Sequence, residues 1–506
     1  MTSLTDLFAA KTVGRDFTAS IVVFLVAMPL CMGIAIASGV PPEKGIITGI
    51  VGGLVVGALA GSPLQVSGPA AGLAVIVFEI VRDQGLSALG PILVLAGALQ
   101  VVAGVFRLGG WFRAISPAVV HGMLAGIGAL IVIGQFHVLF DAKPLSSGLE
   151  NLAAMPGRVL GLSFDTLAAT ELALLIALLT IGAMLAWETF RPAALRLVPG
   201  ALVGVVVATL TTVLFALDVA KVDVPTSIVA AIDTPDAGFF AAIVNPAILV
   251  TAIAIAFIAS AETLLSAAAV DKMHDGPRTD YDKELRAQGV GNLLCGFAGA
   301  LPLTGVIVRS SANVHAGAVT RLSAILHGAW IFGFVALLPW LLSAIPMAAL
   351  GAILVVTGWR LVSISHVRHL FSSHGAMPVL IWVATFVMVV ATDLLTGVLI
   401  GLALSLLELV PHVRRLNLRV DAAHGDESSR LSLDGAATFL SLPKLNRALD
   451  AVPGDRPLRI DFARVPAMDH TCAEMLADWL QRKRGQGMSI ELAGAPGMLS
   501  RFDKVD

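Results

Sequence analysis

Fourteen apolar runs, separated by short polar connections, occupy residues 17–410 of this chain. They lie near 17–37, 44–61, 69–81, 88–106, 117–140, 167–187, 197–216, 244–270, 287–300, 303–318, 321–344, 346–359, 377–391 and 394–410. About 20 apolar residues are enough for an α-helix to cross the hydrocarbon core of a membrane. The pattern therefore predicts an α-helical membrane protein with fourteen transmembrane segments.

Two of the runs, 69–81 and 303–318, are too short for a full span, and each follows a lead-in that contains glycine and proline. The lead-ins read GSPLQVSGPAAG and GALPLTG. Each short run is the third segment when the fourteen runs are divided into two sets of seven. Short, interrupted segments at matching places in two halves of a transporter indicate its substrate site.

The distribution of lysine and arginine predicts the orientation of the segments. If the N-terminus is cytoplasmic and the segments alternate, the outside holds only five of these residues, Lys44, Arg82, Lys143, Arg158 and Lys221. The cytoplasmic side then holds fifteen: Lys11, Arg15, Arg107, Arg113, Arg191, Arg196, Lys272, Arg278, Lys283, Arg286, Arg321, Arg360, Arg368, Arg414 and Arg415. This bias follows the positive-inside rule, so we expect a bacterial-type inner-membrane protein whose N-terminus and C-terminal tail are both cytoplasmic.

Composition divides the chain in two. The whole chain is 57% hydrophobic and 13% charged, whereas about 25% of the residues of a soluble protein are charged. Of the 33 basic and 35 acidic residues, 41 fall in residues 1–410 and 27 in the much shorter stretch 411–506. The break predicts a membrane domain, 1–410, followed by a soluble domain, 411–506.

The soluble domain has the pattern of a small α/β fold. Strands are predicted at 429–437, 457–465 and 488–494, and helices at 441–452, 468–487 and 495–502. No phosphate-binding loop or nucleophile constellation is found, so the sequence does not suggest an enzyme. The net charge of −2 gives no indication of nucleic-acid binding, and three distant cysteines, Cys31, Cys295 and Cys472, form neither a disulfide framework nor a metal-binding spacing.

Arg309 stands inside the apolar run 303–318, where an unpaired arginine costs at least ~2.5 kcal/mol. A helix that begins in mid-membrane exposes backbone N–H groups and the positive end of its dipole. Two such helix starts, at SGPAAG (67–72) and PLTGVIVRS (302–310), would form a positive pocket beside Arg309 that binds an anion. The alternatives are that Arg309 snorkels to the membrane surface or pairs with an acid such as Glu262.

Glu262 is a second charge in an apolar run, and Ser266 follows it at i+4 on the same helix face. Together they would bind Na⁺, or Glu262 alone would carry a proton; either would offset the charge of an incoming anion. The alternative is a structural acid hydrogen-bonded to neighbouring backbone. Glu79 and Glu408 are expected at the membrane surface, and His121 and His327 as packed, hydrogen-bonded side chains.

The sequence resembles the SulP anion permeases, the sulfate permease group that includes the animal multifunctional anion exchangers and prestin. MPLCMGIAIASGVPP (28–42) resembles the first helix of that family, QVSGPAAG (65–72) the lead-in to its third segment, and LPLTGVIVRSS (301–311) its tenth segment. RIDFARVPAMDHTCAEML (459–476) is similar to the core of the STAS domain, a fold shared with anti-sigma-factor antagonists.

The resemblance implies fourteen segments in two inverted repeats of seven, divided into core and gate domains, a cytoplasmic STAS domain and a homodimer. It places the anion between the third and tenth half-helices. The matching positions are Leu30, Ile34, Ala70, Ala71, Thr304, Gly305, Val306 and Arg309. ASAETLLS (259–266) is similar to the cation-site stretch of cyanobacterial sodium-dependent bicarbonate members, which gives coupling-ion positions at Glu262, Ser266 and Thr304.

Two of these positions depart from the family. The bicarbonate carriers have aspartate and threonine where this chain has Glu262 and Ser266, which leaves Na⁺ and H⁺ open as coupling ions. Ala70 replaces a hydroxyl-bearing residue of some bicarbonate carriers. In the tail, Thr471 falls in a region that is phosphorylated in antagonist relatives, and a folding or regulatory role is expected there instead.

The sequence therefore predicts a secondary active transporter of a small inorganic oxyanion such as bicarbonate or sulfate, coupled to Na⁺ or H⁺, that works by alternating access and needs no other cofactor. The alternatives are a C4-dicarboxylate (fumarate-like) proton symporter and an uncoupled anion channel or sensor. Nucleobase carriers share the architecture but use a second acid in the tenth segment, where this chain has Arg309.

Overall fold

The computed structural model describes residues 10–112, 116–145, 147–163, 168–223, 227–228, 230–362, 376–409, 418–424, 429–438, 441–453, 456–466, 468–494 and 502. The boundary predicted between 410 and 411 lies outside this part of the chain, as do most of the residues of the helix predicted at 495–502. Arg113, Arg368, Arg414 and Arg415 are also outside it.

In the described part of the first half, the elements are helices apart from one short strand. Its elements are α1 Ala10–Ala37, α2 Pro42–Leu59, β1 Ser67–Pro69, α3 Ala74–Gln84, α4 Leu89–Val105, α5 Gly109–Phe112, α6 Pro117–Val138, α7 Gly148–Leu160, α8 Ala169–Phe190, α9 Gly200–Leu214 and α10 Ala237–Ile243. Helix α2 is π-helical over Gly52–Val56, and a 3₁₀ turn, Ala71–Leu73, leads into α3.

The described part of the second half has the same character up to residue 409. Its elements are α11 Pro246–Asp271, α12 Tyr281–Phe297, β2 Leu303–Gly305, α13 Ile307–His315, α14 Leu322–Leu337, α15 Pro339–Leu342, α16 Met347–Leu361, α17 Ala376–Ala391 and α18 Leu394–Leu409. The C-terminal domain adds β3 Arg419–His424, β4 Ser429–Asp434, α19 Leu442–Asp450, β5 Leu458–Arg464, α20 His470–Gly485 and β6 Ile490–Ala493.

Every predicted apolar run contains a helix, although the runs 69–81 and 303–318 begin as extended backbone. Within the described residues, six helices are long and apolar enough to cross a membrane by length and composition: α1, α2, Leu86–Val105, α6, α8 and α11. Five further apolar helices of 10–17 residues are shorter than a straight span. Fourteen complete spans therefore remain a prediction.

The chain divides into two compact units. The first comprises Met1–Gly109, Leu124–Val362 and Val390–Leu394, and it contains both short strands and the helices that follow them. The second comprises Gly110–Met123, Ser363–Val389 and Leu395–Asp506, and it contains α17 and the C-terminal sheet.

Glycines bring two helices of the first unit into close contact. A Cβ at Gly97 of α4 would lie 2.6 Å from the backbone oxygen of Gly289 in α12, and a Cβ at Gly296 would lie 2.8 Å from the oxygen of Gly90. Small residues of this kind let helix backbones approach each other in membrane proteins. The close approach allows polar side chains of α4 and α12 to meet in the interior.

The C-terminal domain is built on a four-stranded mixed sheet in the order β3-β4-β5-β6. β3 pairs antiparallel with β4, whereas β4–β5 and β5–β6 are parallel pairs. Leu458, Ile460 and Phe462 alternate with more exposed residues along β5 and enter a core that α19 and α20 cover. The predictions at 429–437, 441–452, 457–465, 468–487 and 488–494 are confirmed as elements, and β3 was not predicted.

Candidate functional site at the crossing of two broken segments

Both short runs begin as extended backbone rather than as continuous helix. β1 and β2 pair antiparallel, with Ser67 opposite Gly305, Gly68 opposite Thr304 and Pro69 opposite Leu303. Backbone bonds extend this ladder at both ends, from Val306 N to Val66 O at 2.9 Å and from Ala70 N to Pro302 O at 3.2 Å. We call this paired region the crossing.

Each strand of the crossing leads into the start of a helix. Since the strands are antiparallel, α3 and α13 leave from opposite ends of the ladder, with their N-termini towards it. No side chain caps either helix: Leu73 precedes α3 and Val306 precedes α13, without a side-chain hydrogen bond at either position. The first backbone N–H groups of a helix have no acceptor within the helix, so two positive dipole ends face the crossing.

Arg309 lies in the first turn of α13 and is completely buried, with 0% of its surface exposed. Its Nε and both Nη atoms have no hydrogen-bond partner within the described part of the chain. The guanidinium lies against the backbone of Gly68, because a Cβ at Gly68 would overlap Nη1. The Cys31 thiol of α1, a weak hydrogen-bonding group, lies beside the guanidinium and interacts with it, and the His327 ring of α14 is close enough to interact with it electrostatically.

Neither alternative reading of Arg309 fits this environment. A snorkelling arginine keeps its charged end in water, whereas this guanidinium has no exposed surface. An ion pair with Glu262 would give its nitrogens a partner, but within the described residues they have none. Five N–H donors are therefore buried at the crossing, a costly arrangement unless a negative group completes it.

Glu262, in α11, is the second charged residue beside the crossing. Its carboxylate lies against the start of the 3₁₀ turn that leads into α3: a Cβ at Gly72 would be only 2.7 Å from Glu262 Oε2. Oε2 is buried, and no hydrogen-bond partner for it lies within the described residues. Ser266, one turn further along α11, is buried at 2% exposure.

Thr263, the neighbour of Glu262 in α11, hydrogen-bonds to both lead-ins. Gly305 N donates to Thr263 Oγ1 at 3.1 Å, and Gln65 Nε2 donates to the Thr263 carbonyl at 3.0 Å. Within the described residues no group of three or more His, Cys, Asp and Glu side chains could hold a metal ion. A Na⁺ site at Glu262 and Ser266 would therefore need hydroxyl and backbone oxygens to complete its ligands.

The remaining predicted positions also lie at or beside the crossing. Thr304 is fully buried in β2, and its Oγ1 has no partner in the described part of the structure. Ala70 is buried and Ala71 is half-buried, where β1 passes into α3. Gly305 and Val306 complete the link from β2 to α13. Leu30 and Ile34 share a buried face of α1, which contacts both β1 and α13.

Sequence reasoning missed a stripe of buried polar residues on α12, formed by Glu284, Gln288 and Asn292. The Asn292 side chain hydrogen-bonds to both backbone groups of Leu303. Its Nδ2 donates to the Leu303 carbonyl oxygen at 3.0 Å, and its Oδ1 accepts from the Leu303 N–H at 2.8 Å. The spacing i, i+4, i+8 was the available signal, since it places all three residues on one helix face. The predicted run began at 287 and so left out Glu284.

Glu284 and Gln288, the N-terminal part of this stripe, bind the lead-in that precedes α3. Glu284 Oε2 accepts hydrogen bonds from Gly61 N at 2.8 Å and Ser62 N at 2.9 Å. Gln288 Nε2 donates to Glu284 Oε1 at 2.8 Å and to Ser67 Oγ at 2.7 Å. Hydrogen bonds from α12 therefore hold both extended segments in place, and with them Gly68 against the guanidinium of Arg309.

His327 is packed and hydrogen-bonded, as the sequence predicts. Its Nδ1 lies 2.5 Å from the carbonyl oxygen of Ala324, which can only accept, so Nδ1 carries the hydrogen and donates this hydrogen bond. The ring is fully buried, and Gly53, in the π-helical part of α2, leaves the space for it, since a Cβ there would lie 2.9 Å from its Cε1. In the C-terminal domain, the side chain of Thr471 lies outside what the structure describes.

The helical first unit, with its two broken segments, and the C-terminal mixed-sheet domain define a class of helical membrane protein. The fold matches two solved structures: the transmembrane domain of a cyanobacterium bicarbonate transporter, BicA (TM-score 0.67, 22% identity, 77% of this chain and 98% of that one), and SLC26A9 (TM-score 0.68, 16% identity, 99% and 87%). At these identities the likeness establishes the fold.

The sequence places the chain within that class. The sequence model of the sulfate permease family matches residues 14–385, and that of the "Mlab, STAS domain" family matches residues 420–504. The chain belongs to the sulfate permease family and carries a C-terminal STAS domain, as the resemblance predicted.

Relatives along nearly the whole chain include a putative sulfate transporter of Bacillus subtilis, YvdB, and a bicarbonate transporter of Synechocystis, BicA. The first is 28% identical over 505 residues, which cover 95% of this chain and 91% of the relative. The second is 23% identical over 535 aligned positions, which cover 98% and 91%. Both relatives are transporters rather than enzymes.

Proposed function

We propose that this protein is a secondary active transporter of a small inorganic oxyanion, bicarbonate or sulfate, and that the anion binds at the crossing. The observation that carries the proposal is the buried guanidinium of Arg309, whose three nitrogens lack a partner within the described residues. A compact oxyanion would accept charge-assisted hydrogen bonds from Arg309 and from the uncapped N–H groups of α13. Thr304 Oγ1, which also has no partner in the described part of the chain, would donate a further, neutral hydrogen bond to the anion.

Glu262 supplies the coupling in this proposal. Its carboxylate already lies at the helix start that follows β1, where a dipole end favours negative charge. An incoming anion would meet this carboxylate as a competing negative charge. Uptake of one Na⁺ or one H⁺ at Glu262, with Ser266 and Thr304 among the candidate Na⁺ ligands, would remove that competition and link cation binding to anion binding.

The proposal includes the finer architecture that the resemblance implies. Fourteen spans in two inverted repeats would place the third and tenth segments opposite each other, and alternating access would expose the crossing to each side in turn. A homodimer in a bacterial-type inner membrane, with the N-terminus and the STAS domain in the cytoplasm, completes the assignment. The domain boundary is proposed near 410/411.

One other substrate class has specific support. The carboxylate of a C4-dicarboxylate such as fumarate offers the same planar pair of oxygens to Arg309 as bicarbonate does. An uncoupled channel or sensor is disfavoured by a buried acid at the start of the helix that leads into α3, since a passive path for anions gains nothing from it. Both alternatives are outcomes of the test below.

Reconstituted vesicles separate these possibilities. Purified protein is incorporated into liposomes, and uptake of labelled bicarbonate, sulfate and fumarate is measured under imposed Na⁺ and pH gradients. We expect one inorganic oxyanion to accumulate above its external concentration and to leave when the cation gradient is collapsed. Uptake that only equilibrates, with or without a gradient, would overturn the coupled mechanism, and accumulation of fumarate alone would assign the dicarboxylate class.

Replacing Glu262 by Gln tests the coupling role, because glutamine keeps the shape and removes the charge and the titratable proton. We expect anion uptake that persists but no longer responds to the Na⁺ or pH gradient. The measurement is the ratio of internal to external anion at steady state, which should fall to about 1. Unchanged accumulation in Glu262→Gln would remove this residue from the mechanism.

A further inference from the structure

Two buried side chains beside the crossing, on different helices, lack hydrogen-bond partners of opposite kinds. The nitrogens of Arg309 are donors, and within the described residues they have no acceptor. His327 Nε2, in α14, is fully buried and has no partner in that part of the chain either. Because Nδ1 carries the hydrogen that is donated to the Ala324 carbonyl, Nε2 of the neutral ring can only accept. Unsatisfied donors and an unsatisfied acceptor therefore lie in the same region of the interior.

A hydrogen bond between α13 and α14 fixes which faces of these two helices meet. Ser323 Oγ donates to Asn313 Oδ1, and both side chains are fully buried. The two helices follow each other in the chain, and this bond lies near the connection between them. Arg309 lies four residues before Asn313, and His327 lies four residues after Ser323, so each is one turn further from the connection on the same helix face. The spacing therefore directs Arg309 and His327 towards each other.

Glycines in the π-helical part of α2 leave room for both groups. A Cβ at Gly53 would lie 2.9 Å from His327 Cε1, and one at Gly52 would lie 3.1 Å from the backbone nitrogen of Gly68. Gly68 is the residue against which the guanidinium of Arg309 lies. Consecutive residues of α2 therefore pack against the histidine ring and against the backbone beside Arg309, and the two side chains interact electrostatically. π-Helical segments of this kind are frequent at functional sites.

A single ligand satisfies both groups if it presents negative oxygens to the arginine and a hydroxyl to the histidine. Bicarbonate has this form, since two of its oxygens share the negative charge and the third carries a hydrogen. Sulfate has no hydroxyl near neutral pH, so it would place a negative oxygen against the lone pair of His327 Nε2. A site with a buried group that binds a hydroxyl disfavours an analogue without one, because the group is then left unpaired.

We propose that His327 determines the choice of substrate, because its Nε2 accepts a hydrogen bond from the hydroxyl of bicarbonate while Arg309 binds the two other oxygens. The inference rests on the anion site proposed at the crossing, and it adds to that site a residue of α14. It selects singly charged oxyanions that carry a hydroxyl over sulfate and over a dicarboxylate such as fumarate. The hydrogen bond from Nδ1 to the Ala324 carbonyl holds the ring in the tautomer that leaves Nε2 as an acceptor.

Nitrate is the matched probe for this proposal, because it is a planar, singly charged oxyanion of similar size that has no hydroxyl. Thermal unfolding of the purified full-length protein is followed while bicarbonate or nitrate replaces gluconate at constant ionic strength. A ligand that binds only the folded state raises the unfolding midpoint, with a concentration dependence set by its affinity. We expect the wild-type protein to bind bicarbonate at least ~10-fold more tightly than nitrate.

Two variants locate the preference. His327→Asn should lose the preference for bicarbonate and keep its affinity for nitrate, because asparagine can still donate to the Ala324 carbonyl but is too short to place an acceptor where Nε2 lies. His137→Asn is the matched control, since it makes the same change at a buried histidine of α6 whose two ring nitrogens bond to Asn151 and Arg158. It should keep the wild-type preference.

Three results would overturn the role of His327. These are equal affinity of the wild-type protein for nitrate and bicarbonate, a His327→Asn protein that keeps the preference, and a His327→Asn protein that loses affinity for both anions equally. The comparison of the two anions on the wild-type protein decides the question even where a variant does not fold. A wild-type protein that neither anion stabilises would instead contradict the anion site at the crossing, and the role of His327 with it.

Discussion

Gly68 and Gly72 leave the space that the Arg309 guanidinium and the Glu262 carboxylate occupy. A Cβ at Gly68 would overlap the guanidinium of Arg309, and one at Gly72 would lie 2.7 Å from the Glu262 carboxylate. The lead-in SGPAAG therefore contributes close approach of the backbone rather than side-chain chemistry. Its glycines set how near each charge comes to a helix start.

Gly68→Ala should displace the guanidinium without removing its charge. We expect anion uptake to fall at least ~10-fold, which corresponds to about 1.4 kcal/mol of binding free energy, although Arg309 itself is unchanged in this variant. The measurement is the concentration dependence of labelled anion uptake in vesicles.

Gly182→Ala is the matched control for this variant. Gly182 lies within α8, and a Cβ there would have no atom within 4 Å. Alanine in a helix interior is more favourable than glycine by about 1 kcal/mol, so uptake should be unchanged. Equal loss in both variants would show that the effect of Gly68→Ala is not specific to the crossing.

At the residue scale the sequence predicts the charged groups well. Arg309 and Glu262 stand out because a charge in an apolar run needs a compensating group. The contacts of those charges could not be predicted, because they depend on which backbone of a distant segment lies opposite. Glu262 was one alternative partner for Arg309 on the sequence; the structure places Gly68 against the guanidinium and Gly72 against the carboxylate.

At the scale of elements, α12 organises the site although none of its residues is in the predicted set. Glu284→Gln should loosen the lead-in at Gly61 and Ser62, because both oxygens of Glu284 accept hydrogen bonds and glutamine has only one oxygen acceptor. We expect a loss of about 1–3 kcal/mol in unfolding free energy. The readout is a lower thermal midpoint together with weaker anion binding.

Arg286→Gln provides the comparison for that prediction, since Arg286 is an exposed residue on the same helix. It should leave both the midpoint and the anion affinity unchanged. A Glu284→Gln protein that matches the wild type in both measurements would contradict the role of the polar stripe.

The elements that sequence reasoning missed lack strong periodicity. β3 reads RVDAAH, with no regular alternation of apolar and polar residues, and it is defined by its pairing with β4. α7 contains Pro156 and too few apolar residues to appear as a run. The N-terminus of α7 carried the available signal. Ser147 precedes the helix, its side chain accepts a hydrogen bond from Glu150 N, and Glu150 is the third helical residue.

At the scale of the whole molecule, the C-terminal domain has a core of its own. Its buried cluster consists only of residues between 418 and 502, among them Leu431, Phe462, Cys472 and Trp479. The composition break near 411 predicts this separation. The number of spans and the relation between the two repeats are not settled by composition, because several apolar helices are shorter than a membrane is thick.

Cys472 reports on the integrity of that core. Burial, with the nearby charge of Asp469, raises the pKa of its thiol well above the ordinary value, so the thiol stays protonated at pH 8. Since the thiolate is the reactive form, native protein should be alkylated at Cys472 at least ~10-fold more slowly than protein in denaturant. Peptide mapping by mass spectrometry measures this, and equal rates would show that the core is open.

The most direct test of the account is binding of labelled bicarbonate and sulfate to purified protein with Arg309→Ala. Arg321→Ala, which removes an arginine that donates to the Ala58 carbonyl, is its control. Loss of a charge-assisted partner is worth about 1.5–3 kcal/mol, so we expect at least ~10-fold weaker binding in Arg309→Ala and wild-type binding in Arg321→Ala. Wild-type affinity in a folded Arg309→Ala protein would contradict an anion site at the crossing.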